Sequence, residues 1–352
     1  MAGDGLLVVM RRRYEVRRSL TRLQSLMQPG SYQVYPGAAL SPAGPDGQLD
    51  DYQLALQANM AAGCSRPTRW AAGWSYKIAP RSGVRDYLYD TLIQRRDWII
   101  LVAKRRDHVL RLTSRPELAA RLTHNAEWLR RSFPVPWIEA TSVGLAGLYG
   151  VREAFVAGQP IRSAKSEQWD SVFRQLLAAC QKHVAWRQGS FDYTPVLAEL
   201  SSWQVPTWLE RALGKYQQDI KDLLDGCPLL AGHSDCHNGN VVVQPDGNLI
   251  LIDLERVQSL PFFFDALSLL RGSGKVNVAL RQAYLAGQYD AEMASLWAAA
   301  GQPWQPRWRI AALLAMTVAH AFRPQFCGAT SERRREKLIG AADKIRHDCR
   351  MD

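Results

Sequence analysis

The residues from His233 to Asn240, His-Ser-Asp-Cys-His-Asn-Gly-Asn, and the run Leu251-Ile-Asp-Leu-Glu255 shortly after them carry the densest chemistry in this sequence. Together they offer a carboxylate at Asp235, a carboxamide at Asn240 and a second carboxylate at Asp253 to one magnesium-nucleotide. Phosphoryl transfer asks for this set. One carboxylate orients the attacking hydroxyl and accepts its proton, while further oxygen ligands hold the cation that neutralises a triphosphate.

The elements that must position these groups are legible in the same stretch. Leu229, Leu230 and Ala231 form an apolar approach, and Gly232 lets the chain turn. Val241-Val242-Val243 and Leu249-Ile250-Leu251-Ile252 read as two buried strands. Gln244-Pro-Asp-Gly-Asn248 between them reads as a turn, in which Pro presets φ and Gly or Asn accepts positive φ. A tight hairpin returns the residue after its second strand to the residue before its first. Asn240 and Asp253 are therefore expected side by side, with Asp235 in the irregular loop just upstream.

The order His-x-Asp-x4-Asn, hairpin, Ile-Asp-x-Glu resembles the catalytic core of the aminoglycoside phosphotransferase and choline-kinase-like family, relatives of protein kinases. The resemblance covers roughly residues 229–270. It implies an α+β, bilobal protein-kinase-like fold, with a small β-rich N-lobe and a mostly helical C-lobe behind an N-terminal extension. The segments are then 1–65, an extension whose role is not readable, 66–155, the N-lobe, and 156–352, the C-lobe. Residue by residue, the resemblance implies Asp235 as catalytic base and Asn240 as a magnesium ligand. Asp253 becomes the metal-binding Asp that opens the Asp-Phe-Gly motif, written here Asp-Leu-Glu. His233 would pack beneath the loop, and Asp265, in Pro261-Phe-Phe-Phe-Asp-Ala-Leu, would be the buried helix Asp tied to it. ATP and Mg2+ are the implied cofactors.

On the nucleotide side, Trp98-Ile-Ile-Leu-Val-Ala103 and His108-Val-Leu-Arg-Leu112 read as strands joined at Arg105-Arg106-Asp107. Pro116 opens a helix with Leu118, Leu122 and Leu129 on its apolar face, ended by Pro134 and Pro136. Under the resemblance, Arg111 falls where the family places the Lys that contacts the α- and β-phosphates. Arg is a permanent cation that also binds phosphate; Lys104 is the alternative. The helix partner would be Glu127, although the polar position on the apolar face is Asn125. The Gly-rich loop has only Ser82-Gly83 and Gly73-Trp74-Ser75 as candidates. Val151-Arg-Glu-Ala-Phe-Val-Ala-Gly158 resembles the inter-lobe hinge, with backbone groups near Glu153 to Phe155 on adenine; a plain strand and turn is the other reading.

Trp169, Phe173, Leu176, Cys180 and Val184 recur at helical spacing. So do Leu209, Leu213, Tyr216, Ile220 and Leu223, read as one helix opened by the capping box Thr207-Trp-Leu-Glu210 and closed at Gly226. Helical runs are expected near 262–272, 276–300, 306–322 and 331–347, with Trp297, Trp304 and Trp308 in packing roles. At the start of the chain, residues 1–28 read as a basic amphipathic helix with Leu20, Leu23 and Met27 on one side. Residues 29–50 read as a linker or irregular loop, and about 51–62 as a second helix.

Composition bounds the rest. A chain of 352 residues, 47% hydrophobic and 22% charged, is ordinary for a globular protein of two lobes. Its apolar runs are shorter than the roughly 18 residues a spanning helix needs. Gly5-Leu-Leu-Val-Val-Met10 precedes Arg11-Arg-Arg13, the reverse of a secretory signal's order, so a cytoplasmic location is expected. Six scattered cysteines without a Cys-x-x-Cys pair indicate neither a zinc site nor a disulfide framework, and Cys236 reads as a small filler. Forty-four basic against 33 acidic residues give +11, which favours anionic partners: nucleotide phosphates, an acidic or phosphorylated glycan, or a membrane surface touched peripherally. Nucleic-acid binding is disfavoured, because no zinc finger, RNA-recognition signature or helix-turn-helix spacing occurs.

The acceptor narrows by length. Only Leu254 to Leu260 separates Asp253 from Pro261, where the next helix is expected, too short for the peptide-cradling segment of a protein kinase. His237 stands where protein kinases carry a Lys, either neutralising developing charge or simply on the surface. Glu255 is a second metal ligand or a partner of Arg256. The expected activity is an ATP- and Mg-dependent phosphotransferase acting on a hydroxyl of a small-molecule or glycan acceptor, with bacterial surface polysaccharide as one source. Two other readings stand beside it: a catalytically weak pseudokinase or nucleotide-binding module, and a metal-dependent hydrolase using His233, Asp235 and His237.

Overall fold

Strands with apolar residues on both faces build one eight-stranded antiparallel sheet in the first half of the chain. The computed structural model describes residues 2–35, 38–40, 49–50, 52–54, 56, 75–78, 88–142, 147–324 and 329–351. They fall into two units, Met1–Thr123 with Trp137–Phe155, and His124–Pro136 with Val156–Asp352.

The first unit holds α1 (Ala2–Leu23) and strands β1 (Gly30–Tyr35), β2 (Ala38–Leu40), β3 (Ser75–Ile78), β4 (Tyr89–Gln94), β5 (Ile99–Ala103), β6 (His108–Thr113), β7 (Ile138–Thr141) and β8 (Tyr149–Ala154). Their order across the sheet is β3-β1-β2-β4-β5-β6-β8-β7. Alternation sets the two faces. Leu92, Leu101, Leu110 and Leu112 form one core with Val16, Leu20 and Leu23 of α1 and with Met27 beyond it. Ile93, Val102 and Val109 belong to a separate cluster, against which Tyr52, Leu56 and Phe155 pack. Tyr52 meets Phe155 edge to face at 5.2 Å, and its segment is pinned by Arg106 on Asp50 (2.5 Å) and Gln53 on Thr91 (3.0 Å).

The linker expected at 29–50 is corrected. β1 and β2 occupy part of it, because Tyr32, Val34, Ala39 and Leu40 supply buried side chains that the sheet recruits. The described part of 1–65 thus joins the sheet unit rather than standing apart from it. The helix expected near 51–62 is described only at 52–54 and 56, which are helical. Its remainder, Ser82-Gly83 and Gly73-Trp74 lie outside the described residues.

α2 (Pro116–Leu129) runs across the division between the units. The second unit is built on α3 (Ser166–His183), α4 (Thr194–Ser201), α5 (Thr207–Lys215), α6 (Gln217–Leu224), α7 (Phe264–Ser268), α8 (Lys275–Leu285), α9 (Asp290–Ala299), α10 (Arg309–Ala321) and α11 (Ser331–Asp343). Two small antiparallel sheets complete it. One orders β10 (Gly189–Ser190), β11 (Pro228–Gly232) and β14 (Gln258–Pro261); the other orders β13 (Leu249–Leu251), β12 (Val241–Val243) and β9 (Gln159–Pro160).

Three expectations shift here. The helix from Thr207 divides at Tyr216 (φ −106°), just after Gly214, and Thr207 is its first helical residue behind Pro206 rather than a side-chain cap. The run 276–300 divides at Gly287, whose φ of +87° ends α8. Pro261 closes β14, paired with Leu229, so the following helix begins only at Phe264.

The core of this unit lies around α10, buried on every side from Ala311 to Ala321, as a helix apolar nearly all round must be. Trp297 is fully buried, stacked on Phe263 at 5.4 Å and edge-on to Phe262 at 4.9 Å, with Trp304 at 4.7 Å. Among the described residues no helix is long and apolar enough to cross a membrane. Trp297→Ala is expected to cost about 3–5 kcal/mol, since the cavity is lined by rings that cannot collapse into it. Urea unfolding reads this as a lower midpoint at an unchanged slope.

Candidate active site

β11 runs into the loop 233–240, and the loop is held from beneath by one carboxylate. Asp265, near the start of α7, accepts the N–H of His233 through Oδ2 (2.6 Å) and the N–H of Ser234 through Oδ1 (2.8 Å). Burial pushes the Asp265 carboxyl above the usual range, while the His233 ring and these two N–H donors pull it back. The approach is close. A Cβ on Gly232 would sit 2.5 Å from Asp265 Oδ2, so only glycine fits there.

Ser234 adopts φ +64°, which a serine rarely does, and three bonds fix it. Its hydroxyl donates to the Arg256 carbonyl, its own carbonyl accepts from Arg323 Nη1 (2.5 Å), and its amide is the one on Asp265. Ser268 Oγ donates to the Cys236 carbonyl (2.8 Å). Cys236 is buried, and burial with Asp265 nearby raises its thiol well above the ordinary value.

The hairpin then sets Asn240 beside the residue that precedes Asp253. β12 and β13 pair Val241 with Leu251 and Val243 with Leu249, and Gly247 (φ +84°) makes the turn. The Ile252 N–H donates to the Asn240 carbonyl (3.0 Å), and Asn240 Nδ2 donates to the Asp235 carbonyl (3.1 Å). With its amide nitrogen so engaged, Asn240 presents Oδ1 as an oxygen donor. Asp253 is left-handed at φ +65° and opens the 3-10 turn Leu254–Arg256, which carries Glu255. Asn125 of α2 donates to the Leu254 carbonyl (2.7 Å). Two oxygen-bearing side chains, Asn240 and Asp253, thus flank one strand end, a hard-donor set of the kind that suits Mg2+.

His233 is fully buried, with Nδ1 accepting from the Asp235 N–H (3.3 Å) and Nε2 donating to the Ile252 carbonyl (2.8 Å). Both ring nitrogens are engaged, so the ring offers no lone pair to a metal. That removes a ligand from the metal-hydrolase reading. Among the described residues no group of three or more His, Cys, Asp or Glu side chains is placed to hold a metal ion.

Asp235 itself is half-buried, with Oδ2 4.0 Å from both His237 Nε2 and Arg256 Nη1. His237 is exposed, its Nδ1 accepting from the Gly239 N–H (2.9 Å). Arg323, pressed over Phe264, has its guanidinium pushed down to about 10 by burial and by Arg271, against the pull of Asp235.

In the sheet unit, Arg111 on β6 forms an ion pair with Glu153 on β8 (2.5 Å). Glu153 lies within paired strands on both sides, and the N–H groups of Ala154 and Phe155 go to Trp137 and Asp107 carbonyls. In the hinge expected over Glu153–Phe155, these two amides are thus hydrogen-bonded within the sheet unit. Lys104 is exposed and lines a cavity of 880 Å3 with Ala103 and Leu110, residues of the α1-side core, whereas Val109 two positions before Arg111 belongs to the other face. The structure therefore sets the two candidate phosphate residues apart.

Sequence reasoning missed Ser268, Arg323 and Arg271 around the loop. None sits in a recognisable string, although Arg271 closes the apolar run from Phe262 and is conspicuous for its charge. Glu127 is exposed, whereas Asn125, the polar residue on the apolar face, makes the inward bond.

An antiparallel sheet unit and a helical unit that carries this loop and hairpin define the kinase-like α+β class. Residues 94–298, more than half of the chain, match the phosphotransferase enzyme family, APH, and the chain belongs to it. Solved structures of similar fold include an aminoglycoside phosphotransferase from Alicyclobacillus acidocaldarius (13% identity, 78% of this chain and 95% of that one, TM-score 0.39). A choline/ethanolamine kinase family protein from Mesorhizobium loti is also similar (14% identity, 77% and 95%, TM-score 0.40). So is an aminoglycoside phosphotransferase from Streptomyces rimosus in complex with ADP and streptomycin (12% identity, 63% and 92%, TM-score 0.36). No protein of curated function matches the chain in sequence.

Asp265→Ala removes two charge-assisted bonds of about 1.5–3 kcal/mol each. Amide exchange at His233 and Ser234 should quicken by about tenfold or more, read by hydrogen exchange. Unchanged protection there would mean that the carboxylate does not hold the loop.

Proposed function

We propose that the protein is an ATP- and Mg-dependent phosphotransferase whose acceptor is a hydroxyl of a small molecule or glycan, working in the cytoplasm where ATP is available. The observation that carries this reading is a continuous chain of hydrogen bonds. Asn240 Nδ2 reaches the Asp235 carbonyl, the Ile252 N–H reaches the Asn240 carbonyl, and His233 Nε2 reaches the Ile252 carbonyl. It locks the backbones that bear Asp235, Asn240 and Asp253 into one piece, as a reaction that runs on positioning requires.

In this reading Asp235 orients the acceptor hydroxyl and takes its proton, and its half-exposed carboxylate is open to that acceptor. Asn240 and Asp253 hold the magnesium, with Glu255 as a further carboxylate on the adjoining turn. When bound, the cation offsets charge on the transferred phosphoryl group. His237 and Arg256, each 4.0 Å from Asp235 Oδ2, add positive charge where the phosphoryl group arrives. His233 carries no proton in the reaction; it holds the loop. Arg111, with Glu153 as its counter-charge, is the proposed phosphate contact on the sheet, and Lys104 is the weaker candidate.

Asp235→Asn should lower kcat by about two to four orders of magnitude while Mg-ATP still raises the melting temperature. Asp253→Ala should lose that thermal shift. A wild-type protein unmoved by millimolar Mg-ATP would instead favour a scaffold that has lost catalysis.

A further inference from the structure

The sheet unit holds a cavity that the proposed phosphoryl transfer leaves unused. It measures about 880 Å3, within the span of roughly 300–1,000 Å3 usual for small-molecule sites, and its described lining belongs wholly to that unit. The buried part of the lining is apolar: Leu110 and Ala103 come from the α1-side core, and Leu26 packs against the same core. The chain just after α1 is fixed there by backbone bonds. The Tyr89 N–H donates to the Leu26 carbonyl (3.3 Å), and the Gln28 N–H donates to the Tyr89 carbonyl (2.7 Å).

The turn between β5 and β6 is four charged residues in a row, Lys104-Arg-Arg-Asp107, and they divide. Arg106 is left-handed (φ +54°), which costs a residue with a Cβ, and its guanidinium goes to Asp90 (2.8 Å) and Asp50 (2.5 Å). Lys104, Arg105 and Asp107 line the cavity instead. β4 is irregular beside them, its register against β5 shifting between Tyr89 and Thr91. A bulge of this kind re-aims a side chain. Tyr89 Oη lies 3.1 Å from His108 Nε2, and His108 Nδ1 lies 2.7 Å from Asp107 Oδ1, with the two rings edge to face at 5.5 Å. Asp107, the one acid among the described lining residues, is thus engaged by an imidazole, while Lys104, Arg105 and Arg152 of β8 bring three cations.

We propose that this cavity is a second ligand site, for a small anion on an apolar body: a phosphate monoester or a carboxylate carried by a ring. Lys104, Arg105 and Arg152 meet the charge, His108 and Tyr89 form a polar end fixed by each other, and Leu26 and Leu110 meet the ring. The site shares no residue with the Asp235 loop and does not rest on the phosphotransferase reading. It also accounts for Lys104, which lies apart from Arg111. Cations that serve only solvation need no apolar hollow behind them, and a hollow for a neutral ligand gains nothing from three cations. A guanidinium fork pairs with carboxylate or phosphate through two parallel bonds, and an ammonium adds a point charge. A ligand carrying amines would meet like charge.

The full chain is titrated by calorimetry with 1-naphthyl phosphate, 1-naphthoate, 1-naphthol and inorganic phosphate, with and without Mg-AMP-PNP. At least one naphthyl anion is expected to bind about tenfold or more tightly than both 1-naphthol and inorganic phosphate, with Mg-AMP-PNP present or absent. The tighter of the two anions identifies the head group. Lys104→Gln combined with Arg152→Gln, both at exposed positions, should weaken that binding by about tenfold while the Tm stays unchanged. Displacement of the anion by Mg-AMP-PNP, equal binding of 1-naphthol or of inorganic phosphate, no binding at millimolar probe, or an affinity that survives the double substitution overturns the inference. None of these results bears on phosphoryl transfer at Asp235, which the Mg-AMP-PNP titration alone addresses.

Discussion

Two consecutive backbone N–H groups, those of His233 and Ser234, end on the two oxygens of one buried carboxylate. Without that grip nothing would compel the chain leaving β11 to bend as it does. A carboxylate stripped of water is costly unless its lone pairs are filled, so Asp265 and the loop stabilise each other. Gly232 is part of the same contact, because its missing side chain is what lets the carboxylate come near. The left-handed Ser234 is the geometric result. Its strain persists because amide, carbonyl and hydroxyl are each separately bonded.

From this fixed point the rest of the site follows by short steps. Ser234 turns the next residue, Asp235, toward half-exposure rather than into the interior. His233 fills the space under the loop and spends both nitrogens joining its start to the end of the hairpin. The hairpin brings the Asn240 backbone to Ile252, and the second left-handed residue, Asp253, swings the chain into the turn that Asn125 holds through the Leu254 carbonyl. Rigidity comes from backbone bonds to buried polar side chains and not from bulk, which leaves the acid tips themselves unencumbered.

The catalytic stretch was legible because its information is local. Three valines, a Pro-Asp-Gly-Asn turn and a Leu-Ile-Leu run specify a hairpin by alternation and turn chemistry alone, and the neighbouring acids then have nowhere else to go. The first 60 residues were hard for the opposite reason. Gly, Pro and Ser dominate 29–50, yet Tyr32, Val34, Ala39 and Leu40 become strands through partners far along the chain. Helix breaks at Tyr216 and Gly287 escaped because apolar spacing runs on through both, and backbone angles decide where a helix stops. The cations around Asp235 were invisible as a group, since Arg256, Arg271 and Arg323 come from three separate elements. A net charge of +11 gave their sum and not their address.

Charge pairing also explains a departure from the expected layout of the sheet. A strand cation that answers to a helix Glu would need α2 to turn an acid inward at Glu127. Here Arg111 finds its carboxylate on the neighbouring strand, at Glu153, within the sheet's own hydrogen-bonded frame. An ion pair between adjacent strands is held by the register of the sheet and asks nothing of the helix. α2 is thereby released to point Asn125 inward, where a neutral amide can be buried at little cost provided its donor is satisfied, and the Leu254 carbonyl satisfies it. An acid at position 125 would face that carbonyl with no proton to donate, which is why the inward residue is an amide and the acid at 127 stays in water.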